Sequence, residues 1–348
     1  MSLYQIEPYR EAREDAFAKA PGDVVRILDG MGFRRLQLDR RPARSRALSW
    51  VGWIGWVAKC MRTFGRLPKG SVVFFQLPSA MSDGRVHAIF RLVKRWRRLR
   101  FVALFHDIGE IQHADAANRP LSKNTQSVIA LADRIIVHNE KMIAWLETKG
   151  VSREKMVSLG LFDYLCDMPM EDKKRERTAP VVIAGRLGVF KSAYLTFLSE
   201  LKDVHFNLYG ICGNDAFLKN PNVTYKGMFS PDELPARLEG GWGLVWDGDS
   251  IETCGNGPGH YLKYNNPHKV SLYLCAGIPL IVWSGSALAD FVRTKGVGLT
   301  IDSLRDLRMI IDGVSEAQYQ SMCANACAQA KLLRAGCYSR KAVEDAKD

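Results

Sequence analysis

The chain has 348 residues, 47% of them hydrophobic and 25% charged, and a formal net charge of +12. That is apolar material enough for two packed cores, and the charge favours anionic partners: nucleotide phosphates, nucleic acid or an anionic membrane face. The polar start MSLYQIEPYREARED excludes a signal peptide, and no apolar run reaches the roughly 18 residues a spanning helix needs.

In chain order, short apolar runs alternate with helical patterns, the signature of a parallel sheet built from strand–helix–strand units. The first half predicts strands at 33–38, 71–76, 100–105 and 134–137, with helices at 10–30, 47–64, 83–98, 122–132 and 139–149. The charged stretch 167–178 has no apolar period and reads as a linker. Beyond it come strands at 180–184, 204–209, 223–226, 243–246, 279–283 and 298–301. Helices at 191–202, 231–238, 267–276, 285–295 and 303–311 connect them. Residues 315–347 form a long helical pattern with no strand beside it. The division is therefore 1–166, a first α/β domain; 167–178, a linker; 179–314, a second α/β domain; and 315–348, a closing helix. The cysteines at 60, 166, 212, 254, 275, 323, 327 and 337 show no CxxC spacing and read as reduced thiols.

The richest chemistry lies in 239–283. A strand ends in Asp247-Gly248-Asp249, followed by Ser250, Thr253 and a glycine-rich loop. Tyr261, Lys263, Asn265, Asn266, Pro267, His268 and Lys269 then lead into a helix. A helix start presents free N–H groups and the positive end of the dipole, so this segment suits a diphosphate. Asp247 and Asp249 also have the form of a metal-binding DxD pair, but they fall late in the chain, and we read them as a strand-end loop. A second motif, His106-Asp107-Ile108-Gly109-Glu110, follows the strand at 100–105, where side chains face a cleft. Asp107 is the first candidate for a general base, with Glu110 and His106 next; an aspartate there can equally cap a helix. A third, Gly185-Arg186 to Lys191, follows the first strand of the second half and can meet phosphate. Tyr209 and Phe229 end neighbouring strands. Residues 39–66 and 94–100 are arginine- and tryptophan-rich, fitting either a core-facing helix with a basic edge or an anionic membrane surface.

The runs WDGDS and ET at 246–253, YLK and NNPHK-SLYL at 261–274 and ALADF at 287–291 resemble the bacterial β-1,6-galactofuranosyltransferases of O-antigen synthesis. More distantly, the chain is similar to the glucosyltransferases that extend O-linked GlcNAc on serine-rich adhesins. The resemblance implies the GT-B fold: two Rossmann-like doubly wound α/β domains facing across a cleft, with a C-terminal helix crossing back. It implies that Lys269 contacts the donor diphosphate, with Asn265, Asn266 and His268 nearby, and that strand-end loops such as those of Tyr209 and Phe229 hold the nucleoside. Asp107 stands in a similar HDI-x-E run. Lys19 and Asp23 align with a basic N-terminal loop and, with Gln76, are expected on the acceptor side. The implied reaction is inverting transfer of galactofuranose from UDP-galactofuranose to a growing surface glycan, with a UDP-sugar as co-substrate and no metal or other cofactor. The acceptor is expected to be a glycan, lipid-linked on the cytoplasmic face of the membrane; a homo-oligomer is left open. The alternatives are a UDP-glucose enzyme acting on a glycopeptide and a basic nucleic-acid-binding protein; no nucleic-acid motif accompanies the basic stretches. Neither half opens with G-x-G-x-x-G, which speaks against a dehydrogenase.

Overall fold

The computed structural model describes residues 1–348 except 8–15, 39–45, 79–80, 82–85, 114, 171–173, 189–191, 214–215 and 348, and omits the side chains of 16, 17 and 46–51. The first unit comprises β1 (Leu3–Ile6), α1 (Ala16–Gly30), β2 (Arg34–Leu36), α2 (Arg46–Arg66), β3 (Val72–Leu77), α3 (His87–Arg97) and β4 (Arg100–Phe105). It continues with α4 (Lys123–Leu131), β5 (Arg134–Val137), α5 (Glu140–Glu147) and β6 (Met156–Ser158). The second comprises β7 (Val181–Leu187), β8 (Phe206–Cys212), β9 (Val223–Gly227), α6 (Leu234–Arg237), β10 (Trp242–Val245), α7 (His268–Cys275), β11 (Leu280–Trp283), α8 (Ala289–Lys295) and β12 (Gly298–Ile301). Helices α9 (Leu307–Gly313), α10 (Glu316–Arg334) and α11 (Cys337–Lys347) close the chain.

Each unit is built on a six-stranded sheet, ordered β2-β1-β3-β4-β5-β6 and β12-β11-β10-β7-β8-β9, and the pairings are parallel. Parallel sheets need both faces covered, which is why β3, Val-Val-Phe-Phe-Gln-Leu, is buried at every position. In the second sheet the order reverses between β7 and β10, the switch point at which such sheets open a crevice beyond the carboxyl ends of their strands. An isolated bridge between Ser192 and Gly248 and the Tyr194 N–H donated to the Gly248 carbonyl tie the loops after β7 and β10 together over that point.

Strands β1 and β6 are absent from the sequence-based reading. β1 is four residues long with a glutamine inside. Gln5 is nevertheless buried, its amide donating to the Val25 carbonyl at 3.2 Å and to Asp29 at 2.8 Å. The segment read as a helix at 191–202 is instead a run of 3₁₀ turns over Ala193–Glu200. The closing segment 315–347, read as one helix, breaks at Gly336, whose φ is +72°. Helix α10 stays on the second unit against α7, and only α11 crosses to the first sheet. There Ala342, Val343 and Ala346 join the core of Phe74, Val102, Leu104 and Ile136. The chain thus crosses between the units twice, at 161–166 and at 334–338.

Candidate active site

The donor segment starts at the end of β10. Lys269, in the first turn of α7, donates to the Asp247 carboxylate at 2.6 Å and to the Trp246 carbonyl at 3.1 Å. The pair is partly shielded, with side-chain exposures of 21% and 14%, so it is screened less than a surface pair. The N-cap of α7 is Pro267, which offers no capping side chain. By contrast α4, α5 and α10 are capped by Ser122, Asn139 and Ser315. The Val270 N–H donates to the Pro267 carbonyl at 3.0 Å, and those of His268 and Lys269 have no side-chain cap and stand where a cation is already placed.

The loop from 247 to 263 is held by its own polar groups. Thr253 Oγ1 accepts the Gly255 N–H at 2.9 Å, and Ser250 Oγ accepts that of Glu252 at 3.0 Å. These hydroxyls shape turns. Gly259 packs so tightly that a Cβ would stand 2.3 Å from the Asp247 carbonyl oxygen. Asp249 is exposed, and Lys263 lies 5.8 Å over the Trp283 ring. Among the described residues no group of three or more His, Cys, Asp or Glu side chains is arranged to hold a metal ion.

Across the cleft, Asp107 sits just past β4, exposed to solvent. Tyr261 of the second unit donates its hydroxyl to Asp107 Oδ1 at 2.9 Å, and Gln112 donates to the same oxygen at 3.1 Å. Burial first, and Asp107 second, hold the Tyr261 phenol well above its ordinary value, so it remains a proton donor to the carboxylate. Asp107 Oδ2 has no hydrogen-bond partner among the described residues. Glu110, the second candidate base, is engaged elsewhere. Its Oε1 accepts the Ser122 N–H at 2.6 Å and the Thr125 hydroxyl at 2.9 Å at the start of α4. These bonds outweigh burial and hold its carboxyl below the ordinary value.

Several expected ligand contacts turn out to be joints between the units. Asn266 does not point to a diphosphate. Its side-chain N–H groups donate to the carbonyls of His138 and Gly160 at 2.7 and 2.6 Å, and its Oδ1 accepts from Asn139 at 2.6 Å. Its backbone N–H donates to His138 Nδ1 at 2.9 Å. Asn265 is buried with Oδ1 unpartnered. His268 is stacked on Tyr164, ring centres 5.0 Å apart, with Nε2 3.2 Å from the Asp163 carbonyl. His106, the third candidate base, stacks on Phe162 at 5.2 Å and bonds Gln76 Oε1 at 2.6 Å. Gln76 in turn donates to the Pro21 carbonyl, so it positions His106 rather than standing free for an acceptor.

Burial pushes these imidazoles down: His138 and His268 to about 4, and His106, with His138 and His268 as like-charged neighbours, to about 3. All three are neutral at physiological pH. The His138 tautomer follows, with Nδ1 accepting from Asn266 and Nε2–H donating to the His106 carbonyl at 2.8 Å.

Lys19 and Asp23 are likewise not on an open acceptor face. Lys19 is buried and donates to Asp23 at 2.9 Å, to Asp232 of the second unit at 2.7 Å and to the Leu165 carbonyl at 2.5 Å. Asp23 accepts the Leu165 N–H at 2.9 Å, and burial raises its carboxyl to about 6. The two side chains clamp the first crossing of the chain. Tyr209 is also internal, accepting the Glu239 N–H and donating to the Arg237 carbonyl. Phe229 lies 6.3 Å from the Tyr209 ring, with Arg237 over its other side at 5.6 Å. Gly185 and Arg186 are exposed at the end of β7, beside the switch point. Gly185 faces Gly210, where a Cβ would stand 2.0 Å from the Gly185 carbonyl oxygen. Lys191 lies outside the described residues.

Sequence reading missed His138 and Asn139. The signal was there: a buried strand, Arg-Ile-Ile-Val, runs directly into two polar residues that are themselves buried, at 2% and 8% exposure.

Two doubly wound domains, a switch-point crevice bearing a lysine on a helix with no side-chain cap, and a first-domain carboxylate bonded to the segment that leads into that helix are the features of a GT-B glycosyltransferase. Comparison with known proteins gives the family. Residues 4–161 match the glucosyltransferase 3-like N-terminal domain and residues 181–346 the C-terminal domain. The chain belongs to this glucosyltransferase 3-like family. It is 30% identical to the β-1,6-galactofuranosyltransferase WbbI of Escherichia coli K12, over 99% of this chain and 98% of the relative. Glucosyltransferase 3 of Streptococcus gordonii is 26% identical, over 94% of this chain and 92% of that one. Among solved structures, Anabaena HepE in complex with UDP has a TM-score of 0.63 at 12% identity, covering 99% of both chains. The lipopolysaccharide outer core galactosyltransferase WaaB has 0.61 at 11%, again over 99% of both.

Proposed function

We propose that the chain transfers galactofuranose from UDP-galactofuranose to a hydroxyl of a growing surface glycan, by a single inverting displacement that needs no metal. The observation that carries this reading is the Tyr261–Asp107 bond, which sets a carboxylate of the first domain against the segment that leads into Lys269. Asp107 Oδ2 takes the proton of the acceptor hydroxyl as its oxygen attacks the anomeric carbon. The bond to the diphosphate breaks on the opposite face, so the configuration inverts. Charge then develops on the departing UDP, where the start of α7, Lys269 and Arg186 stabilise it. Asp247 holds the lysine in place before the donor arrives.

The full-length similarity to WbbI supports galactofuranose. HepE, of the same fold, is known with UDP and with UDP-glucose bound, which supports a UDP-sugar donor. The family's description and its streptococcal members are named as glucosyltransferases, which supports a second reading, transfer of glucose; with UDP-glucose as donor, a glycopeptide would be the acceptor. A thermal-shift screen of UDP-galactofuranose, UDP-galactose, UDP-glucose and UDP-GlcNAc separates them. UDP-galactofuranose is expected to give the largest stabilisation; a larger shift with UDP-glucose selects the second reading. EDTA is expected to leave turnover unchanged, and strict dependence on added Mn²⁺ or Mg²⁺ would contradict the metal-free displacement.

A further inference from the structure

The outer face of α2 and α3 is the largest feature that the transfer reaction leaves unused. The two helices pack side by side against the first sheet. Their inner faces account for Trp56, Cys60, Phe64, Phe90 and Val93, all buried in one core. The core-facing expectation thus holds for half of each helix. The other half exposes Ile54 (59%), Met61 (40%), Leu92 (66%) and Trp96 (62%).

These four side chains lie on the outward sides of two adjacent helices. Ile54 and Met61 are two helical turns apart on α2. Gly65, a further turn on, meets the Trp96 ring, which a Cβ there would touch at 3.3 Å. Leu92 is one turn before Trp96 on α3. A small residue at 65 therefore seats the indole between the helices and joins the two apolar rows into one strip.

The charged side chains of the two helices all have one sign. Neither α2 nor α3 contains an aspartate or a glutamate. Lys94 is paired with Asp133 and Arg97 donates to the Leu67 carbonyl. Lys59, Arg62, Arg66, Arg91 and Arg95 have no ion-pair partner among the described residues. A globular surface ordinarily mixes signs. An apolar strip with an indole at its centre and unpaired cations on both sides matches one kind of partner: a layer whose surface is anionic and whose interior accepts hydrocarbon. Protein partners rarely present so uniform a negative field next to an apolar surface, and nucleic acid offers nothing to Leu92 or Ile54.

We infer that this face seats the first domain on an anionic lipid bilayer, with Trp96, Leu92, Met61 and Ile54 entering the headgroup boundary and the arginines meeting lipid phosphates. No helix among the described residues is long and apolar enough to cross a membrane, so the contact is peripheral. Helix α2 leads from the carboxyl end of β2 to the start of β3. Its Ile54 end therefore lies on the cleft side of the domain, which would hold the cleft beside a lipid-linked acceptor. This consequence for substrate rests on the transferase reading above; the lipid contact itself does not.

Co-sedimentation of the full chain with vesicles tests it directly, in the absence of donor and acceptor. Vesicles of phosphatidylcholine with about a third phosphatidylglycerol should pellet the protein at low salt, and phosphatidylcholine alone should not. Reversing Arg62, Arg91 and Arg95 to glutamate should cut partition at least about a hundredfold, since each basic side chain near such a surface contributes about fivefold. A double variant Leu92→Ser, Trp96→Ser should lose at least about tenfold and also the part of the binding that survives high salt. Both variants alter exposed side chains, and unchanged melting temperatures and donor-induced thermal shifts would show that fold and donor pocket are intact. Equal pelleting of parent and variants would overturn the inference. So would binding to RNA without binding to vesicles, or a dimer that the serine variant dissociates.

Discussion

Acidification should loosen the junction between the domains, and His138 is where the effect can be worked out. Its imidazole is buried and neutral, with Nδ1 held by the Asn266 N–H and a folded value of about 4 against an ordinary 6.5. The folded state therefore refuses a proton that the unfolded state accepts throughout this window. Stability due to His138 is complete above about pH 6.5 and is lost as the pH falls towards 4. Between about pH 6.5 and 5 the linkage relation gives a loss of about 1.6 kcal/mol for this one group. His106 and His268 act in the same sense. Asp23 and Asp163 oppose them, because burial raises both to about 6 and the folded state takes up their protons first. Their offset is about 1.2 kcal/mol each over the same interval, so these five groups together lose about 2 kcal/mol. Two assays read this. In ¹⁵N-histidine spectra, His138 should keep its neutral Nε2–H pattern down to about pH 5. In urea unfolding at about pH 6.5 and 5, His138→Gln should be less stable than the parent but lose about 1.6 kcal/mol less on acidification. A His138 ring that titrates near its ordinary value, or a variant with the parent's pH dependence, would refute the reasoning.

Other perturbations have equally definite outcomes. Asn266→Ala removes the side-chain hydrogen bonds to Asn139, His138 and Gly160 across the domain junction and leaves the Gly160 carbonyl without its donor, while the His138 carbonyl keeps the Gly160 N–H. It should cost about 3 kcal/mol in denaturant unfolding, and limited proteolysis should cut first near 161–180. Glu110→Ala should cost about 1 kcal/mol by removing the acceptor for the Ser122 N–H and the Thr125 hydroxyl at the start of α4 while leaving kcat within a few-fold of the parent; loss of turnover at full stability would make Glu110 the base instead. Gly210→Ala should destabilise the second domain by more than about 2 kcal/mol, because the backbone carbonyl of Gly185 stands where the methyl would go and φ is +123°. A neutral result in thermal melting would show that the ends of β7 and β8 can part.

The fold was legible in the sequence because its strands are apolar runs, buried on both faces, separated by helices of the right length. The two strands that escaped notice are short and lie where polar residues interrupt the pattern, as Gln5 does in β1. The helix at 191–202 was read from apolar spacing, which a run of 3₁₀ turns reproduces over so few residues. In the candidate site, residue types pointed to a segment but not to the partners its side chains take up. Asn266 and His268 carry the donors a phosphate would want, yet they sit next to His138, Gly160 and Asp163, from 105 to 128 positions away in the chain, and those contacts absorb them. Lys19 and Asp23 look like an open basic loop until Leu165 and Asp232 are seen against them. Asp107, Arg186 and Asp249 stay exposed and Lys269 stays paired with Asp247 beside the cleft, while the Tyr261–Asp107 bond depends on how the two domains meet.

The division of labour between the domains is best tested by isothermal titration of UDP, paired with single-turnover transfer, on Lys269→Ala and Asp107→Asn. The account requires Lys269→Ala to lose UDP affinity by at least about tenfold, and Asp107→Asn to bind UDP as the parent does while transfer falls by a factor of about 100 or more. Unchanged UDP affinity in Lys269→Ala, or near-normal transfer by Asp107→Asn, would contradict it.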